Sequence, residues 1–134
     1  MGYREVLTDD EFNDFCESLP HSTHVVQWGD ADVWKIGGKV FAIGGWRDVD
    51  QGLFVTFKCE EFEFELLGAA PGCRPAPYLA SRGFTWIQRT GDETISDDEL
   101  REFITESYHL VSLNLTKKLQ RELGLNQAEI EPDT

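Results

Sequence analysis

The stretch VWKIGGKVFA, residues 33–42, places two adjacent glycines between two runs of β-branched, aromatic and other apolar residues. Gly37 and Gly38 both tolerate a positive φ, which the two central residues of a type I′ hairpin turn require. The flanking runs have the composition and length that are typical of β-strands. This stretch therefore predicts two antiparallel strands that are joined by a two-residue turn.

The strand-like pattern continues on both sides of this hairpin. Residues 24–28 and 53–58 form similar runs, and short segments rich in Gly and Asp separate them from the hairpin. The simplest arrangement is an antiparallel meander of four strands. Residues 84–89 predict a further strand, whereas residues 72–79, with three prolines in the neighbourhood, predict a loop or an edge segment.

Helix signals lie before and within this β-rich region. Thr8 and Glu11 have the spacing of a capping box, and Pro20 ends the apolar pattern that follows, so we expect a first helix over residues 9–19. Residues 59–67 carry apolar side chains at helical spacing and stop at Gly68, which predicts a short second helix.

A second capping box, formed by Ser96 and Glu99, starts the C-terminal helical region. Its pattern weakens near residues 114–116 and resumes until Gly124, so we expect a break before a last helical segment. The predicted order is α-β-β-β-β-α-β-α in an α+β fold, an antiparallel sheet flanked by helices. We expect one domain over residues 1–124 and a frayed tail over residues 125–134.

The composition excludes several classes of protein. The chain has 134 residues, 12 Lys and Arg, 25 Asp and Glu, and a net charge of −13. A chain of this length buries roughly two thirds of its unfolded surface without disulfides or a structural metal. No apolar run approaches the roughly 20 residues of a membrane span, and no signal peptide is recognisable. Cys16, Cys59 and Cys73 form an odd set without a C-x-x-C pair, so we expect free thiols and a cytoplasmic location.

Several motifs resemble those of the MmcQ/YjbR family over about residues 10–123. Besides residues 33–42, they are FKC at 57–59, PAPYL at 75–79, ESYHLV at 106–111 and LTKK at 115–118. The resemblance implies a compact α+β domain, similar to type III secretion chaperones and frataxin-like folds. It also implies the DNA-binding label that the family often carries. Where many members have a Lys and a His ahead of the late strand, this chain has ASRGF at residues 80–84.

The candidate contact surface is the basic window of residues 66–91. It contains Arg74, Arg82 and Arg89 and no acidic residue, and Tyr78, Phe84 and Trp86 lie between the arginines. This pattern is typical of an anion or nucleic-acid surface, but the arginines could instead pair with the acidic helices. Lys58 and Trp46 are further candidates. Trp46 either lines a groove for a partner or folds back on the sheet edge.

No residue set supports catalysis or a cofactor. Nucleophile-elbow and dinucleotide motifs are absent, and Gly37-Gly38-Lys39 is better explained as a turn than as a phosphate loop. Cys16, His21 and His24 lack a fourth metal ligand at a recognised spacing. We therefore expect a non-enzymatic binding domain for an unknown protein or a small anionic ligand. The alternative is DNA binding through the basic face of residues 72–89, which a charge of −13 opposes.

Overall fold

The computed structural model describes residues 7–45, 52–77, 79 and 84–127. Within these ranges the elements follow one another as α1 (Asp9–Glu17), β1 (Ser22–Gln27), β2 (Ala31–Ile36), β3 (Lys39–Gly44), β4 (Val55–Lys58), α2 (Glu61–Leu67), β5 (Cys73–Pro75), β6 (Trp86–Arg89), α3 (Asp97–Ser112) and α4 (Lys117–Leu123). The predicted α+β class is confirmed. The structure adds the short edge strand β5 to the predicted order, and the expected break near residues 114–116 separates α4 from α3.

The glycine pair forms the predicted turn. Gly37 and Gly38 have φ values of 60° and 85°, and Ile36 pairs with Lys39 directly across the turn. A register shift at Trp34/Lys35 leaves Phe41 as an extra residue on β3. The ring of Phe41 meets Tyr108 of α3 edge-on, with the ring centroids 5.3 Å apart.

The sheet order is β1-β2-β3-β4-β6-β5, and every neighbouring pair is antiparallel. The first four strands form the predicted meander. The chain then passes through α2 to the far edge, forms β5 there, and returns as β6 between β4 and β5. The segment around Pro75 is therefore an edge strand, one of the few places where a sheet tolerates proline.

Both predicted capping boxes are present. The Thr8 and Glu11 side chains each accept a hydrogen bond from the other residue's backbone N–H, at 3.1 and 3.0 Å, and Ser96 and Glu99 do the same. The second helix starts at Glu61 rather than at residue 59. The reason is that the Cys59 N–H donates to the Thr85 carbonyl at 3.0 Å and so continues the sheet.

The four helices of the described residues pack on one side of the sheet. The core there combines strand residues with the inward stripes of the helices, including Phe12, Phe57, Leu100, Ile104 and Leu115. Beyond α4, the expected tail begins with Leu125, which packs on this core, and Asn126, whose amide donates to Gln120 Oε1 at 2.9 Å. No helix in the described part of the chain is both long enough and apolar enough to cross a membrane.

Candidate functional site

The strand register shows which side chains project from each face of the sheet, and the described helices cover one of the two faces. Residues that are directly opposite each other in paired strands project from the same face. Val25, Val33, Ile43, Thr56, Gln88 and Arg74 form one such row across all six strands. This row and its alternate neighbours lie on the side away from the core of the four helices. We call this side the helix-free face, and Leu79 packs against its Ala31, Val33 and Ile43.

Arg74 is the exposed cation on the helix-free face. It lies on β5, opposite Gln88 of β6. Its Nε donates a 2.7 Å hydrogen bond to Gln88 Oε1, and its guanidinium lies 5.8 Å from the ring centroid of Phe54. The hydrogen bond and the cation–π contact together fix the direction of the side chain. The two terminal nitrogens have no further partner among the described residues.

Gln88 is completely buried, and its amide is only half satisfied. Its Oε1 accepts from Arg74, whereas its Nε2 has no hydrogen-bond partner among the described residues. The amide orientation follows from this contact, because the Arg74 N–H requires an acceptor. A buried donor without a partner costs about 1–3 kcal/mol. The structure therefore holds an unused donor on the same amide that accepts from Arg74.

The charges on the helix-free face have one sign. Lys58 lies opposite Trp86, two residues along β4 from Thr56, and Lys35 lies two residues along β2 from Val33. Both lysines are half-buried. Among the described strand residues of this face there is no Asp or Glu, although the whole chain has a charge of −13. The acidic residues of the described strands and helices lie elsewhere.

Arg89 projects from the opposite face. It is 3% exposed, its Nε donates to the Ile95 carbonyl at 2.9 Å, and one terminal nitrogen lies 2.9 Å from Asp97 Oδ1. The sequence left open whether the arginines of the basic window pair with the acidic helices. Arg89 does so, through Asp97 of α3. Arg74 and Arg89 therefore do not share a surface.

The remaining sequence candidates lie outside the described residues. They are Trp46, Tyr78 and Arg82. Sequence reasoning missed Gln88, Phe54 and Lys35. The signal for Lys35 was available, because Val33 and Lys35 alternate with the apolar Trp34 and Ile36 and therefore share a face. No sequence signal identifies Gln88, since its role depends on which residue of β5 lies opposite it.

The three cysteines are free in this structure. Burial raises the pKa of all three thiols, that of Cys59 to about 12, so the thiols are protonated at neutral pH. His24, one of the three residues considered for a metal site, pairs with Asp32 at 2.8 Å and lies against the Trp34 ring. Within the described ranges, no group of three or more His, Cys, Asp and Glu side chains could hold a metal ion.

A second polar cluster connects α3 with the start of α2. Burial raises the pKa of Glu106, and the neighbouring carboxylates of Glu63 and Glu60 and a side-chain hydrogen bond with Glu63 raise it further. Glu63 also accepts a hydrogen bond from the Glu60 N–H at 3.0 Å, as part of the α2 cap. Helix capping explains the positions of Glu60 and Glu63, and the repulsion of both from Glu106 is a cost to stability.

The comparison with known proteins agrees with the motifs at 33–42, 57–59 and 75–79. The YjbR family profile matches residues 17–110, more than half of the chain. The chain belongs to the YjbR family. A similar solved structure is that of the Deinococcus radiodurans protein DR2400, described as a domain of the DUF419 family. It is 28% identical to this YjbR-family chain, with 90% of each chain covered and a TM-score of 0.74. No curated protein matches the chain.

Proposed function

We propose that this YjbR-family chain is a cytoplasmic binding domain without a chemical step of its own, and that it holds an oxyanion group of a small ligand on the helix-free face. Arg74 is the direct contact in this proposal. The observation that carries it is the buried, unpartnered Nε2 of Gln88 beside the oriented guanidinium. Carboxylate and phosphate groups share the acceptor chemistry that these donors require.

The guanidinium of Arg74 is prepared for a bidentate contact. Its Nε donates to Gln88 Oε1 and its guanidinium lies over the Phe54 ring, so the Arg74 side chain loses little conformational freedom when a ligand binds. Arginine presents its terminal N–H groups in a planar fork that fits two oxygens of a carboxylate or phosphate. A ligand oxyanion would therefore find both donors already in position.

Gln88 adds a reason for a ligand to bind at this place. A ligand oxygen that accepts from its Nε2 would remove the cost of the unsatisfied donor, about 1–3 kcal/mol. Because Gln88 is 0% exposed, only a slender group could reach its Nε2 beside the Arg74 side chain.

Charge favours a small anion over a polyanion. Lys58 and Lys35 give the helix-free face a local positive charge, whereas the chain as a whole has a charge of −13. A small anion interacts mainly with the nearest cations, whereas a long polyanion also meets the acidic remainder of the surface. The alternative function, DNA binding through the basic window, is therefore less well supported.

The proposal is tested by nitrogen-15 NMR of the Gln88 side-chain amide and the Arg74 Nε–H during separate titrations with inorganic phosphate and with acetate. We expect saturable shifts of both signals with at least one of these probes. Arg74→Gln should abolish the Gln88 response, because a glutamine at position 74 can keep the bond to Gln88 but lacks the charge. Lys58→Gln should weaken binding.

Arg121→Gln is the matched control, because Arg121 is exposed on α4 and its loss changes the net charge equally. It should titrate as the wild type does. Equal loss of binding in Arg74→Gln and Arg121→Gln would show a non-specific charge effect and would overturn the assignment. Absence of shifts with both probes would also overturn it.

A further inference from the structure

The two edges of the sheet differ in how far they are protected. At one edge, β5 has only three residues and includes Pro75, which has no N–H to offer. At the other edge, β1 has six residues, Ser22–Gln27, and hydrogen-bonds only to β2 in the described sheet. Its sequence STHVVQ contains no proline, lysine, arginine or acidic residue. The strand itself therefore lacks the proline and the charged side chains by which an edge strand usually avoids pairing.

The exposed side chains of β1 favour a protein contact on both sides of the strand. Val25 is 37% exposed on the helix-free face, and Val26 is 54% exposed on the other. Trp28 follows the strand at 49% exposure and has a φ of 56°, a conformation that is unusual for an aromatic residue. β-Branched side chains next to unpaired backbone groups form the kind of edge to which an extended polypeptide adds as a new strand.

We infer that β1 pairs with β1 of a second copy of this chain, antiparallel and with Val25 on the twofold axis. Val25 then faces Val25 of the second copy, and Val26 faces His24. A register one residue earlier would place the two His24 rings directly opposite each other. A register one residue later would pair only three strand residues, 25–27. Of the two registers that bring apolar, β-branched side chains together on the axis, the chosen register pairs more strand residues, 23–27.

Two further observations favour a second copy as the occupant. The first is that the contact strand is uncharged, so two chains of −13 each meet where neither carries a formal charge. The second is that the opposite edge ends at Pro75, so a β1-to-β5 contact that would continue into a fibre is blocked. Pairing of β1 with β1 is closed at the dimer, with one continuous sheet of twelve strands from the six of each copy.

Sedimentation equilibrium of the full chain tests the dimer. Because one strand pair gives a contact at the low end of interface sizes, below about 1,200 Å², we expect a weak monomer–dimer equilibrium. Dimerisation should strengthen between about 0.1 M and about 1 M NaCl, since the Debye length falls from about 10 Å to about 3 Å and screens the repulsion between acidic chains. A chain that stays monomeric from about 10 μM to about 1 mM would overturn the inference.

Substitutions at the strand locate the contact. Val25→Lys puts two like charges opposite each other across the axis and should abolish the dimer, while circular dichroism shows that the fold is retained. Leu66→Lys is the control, because Leu66 is 70% exposed on α2 and gains the same charge. It should dimerise as the wild type does. The reverse result would place the interface on α2 and overturn the assignment.

Cross-linking fixes the register. In the proposed dimer the two copies of residue 25 have Cβ atoms about 4.5–5.5 Å apart, close enough for a disulfide after a small shift. Val25→Cys should therefore form a covalent dimer rapidly under oxidation. Leu66→Cys should not, and both variants carry Cys73→Ser, because Cys73 is only half-buried whereas Cys16 and Cys59 are buried. Faster cross-linking of Leu66→Cys than of Val25→Cys would contradict the β1 interface.

Discussion

The guanidinium of Arg89, at the end of β6, lies 2.9 Å from Oδ1 of Asp97 in the first turn of α3. Its Nε donates to the Ile95 carbonyl, so the one side chain connects the sheet with both the segment before α3 and the helix itself. The carboxylate also lies at the helix N-terminus, where the macrodipole favours a negative charge. Part of the basic window in the sequence is thus used to join elements of the fold.

The Arg89 contact predicts a large effect on stability. Arg89→Ala should lower the free energy of unfolding by about 2 kcal/mol or more, because a charge-assisted hydrogen bond contributes about 1.5–3 kcal/mol and the Ile95 carbonyl also loses its donor. Asp97 keeps 20% exposure, which limits the cost of leaving its charge unpaired. Urea denaturation measures the difference. Arg121→Ala on the exposed side of α4 should change stability by less than about 0.5 kcal/mol.

Ser107 provides a second test of how α3 is attached. Its hydroxyl donates to the Phe41 carbonyl at 2.7 Å and accepts from the Lys58 N–H at 2.9 Å, and the residue is fully buried. Ser107→Ala leaves both backbone groups without this partner and should cost about 2–3 kcal/mol in urea denaturation.

Thr105 is the matched control for Ser107, because it is exposed on the same helix and its hydroxyl bonds only to the Arg101 carbonyl. Thr105→Ala should be neutral or slightly stabilising, since alanine has the higher helix propensity. Equal losses for the two variants would contradict a role of Ser107 in joining α3 to β3 and β4.

The hairpin turn predicts unequal effects of two similar substitutions. Gly37 and Gly38 both have positive φ, so an alanine at either position is strained by about 1–2 kcal/mol. At Gly38 an added Cβ meets open space, whereas at Gly37 it would lie 2.7 Å from Leu115 Cδ1. Gly37→Ala should therefore lower the melting temperature more than Gly38→Ala. Equal shifts would show that the contact with Leu115 relaxes without cost.

The Glu106 cluster predicts a pH-dependent stability. The pKa of Glu106 in the folded chain lies above its ordinary value, so the folded state binds this proton more tightly than the unfolded state does. Its ionisation is therefore destabilising at neutral pH, and this cost disappears as the pH falls from above the folded pKa to below the ordinary value of about 4.3.

Glu106→Gln should accordingly stabilise the chain at pH 7, by less than about 1 kcal/mol because the carboxylates are accessible to solvent. The advantage should shrink as the urea titration is repeated at lower pH. Glu102→Gln, an exposed position on the same helix, serves as the control for the loss of one charge. An advantage of Glu106→Gln that grows toward low pH would contradict the assigned cause.

Local signals in the sequence were sufficient for much of the fold. The turn at Gly37 and Gly38 and the caps at Thr8 and Ser96 depend on neighbouring residues, and all were predicted. For β5 the sequence leaves a loop and an edge segment as alternatives, because three residues ending in proline have no periodicity to detect. The start of α2 was placed two residues early, since the Cys59 N–H pairs with the distant Thr85.

The candidate site was less predictable, because it depends on strand register. Arg74 and Arg89 belong to one basic window in sequence, but only the pairing of β5 with β6 determines that they project from opposite faces. The unpartnered donor of Gln88 depends on the same register. Counting charges along the sequence therefore identified the basic window as a candidate. It could not distinguish the exposed Arg74 from the buried Arg89.

The placement of Arg89 also refines the expectation for DNA. On the helix-free face the described cations are Arg74, Lys58 and Lys35, so any duplex bound there should show a salt slope no steeper than about −3, at about −0.9 per phosphate contact. With a net charge of −13, we expect no mobility shift of a generic duplex at micromolar protein in salt of about 0.15 M. The test compares the wild type with Arg74→Gln and omits Arg89, because its loss would disturb the fold. Tight binding that Arg74→Gln abolishes would show that the local cations outweigh the acidic chain and that DNA is the partner of this face.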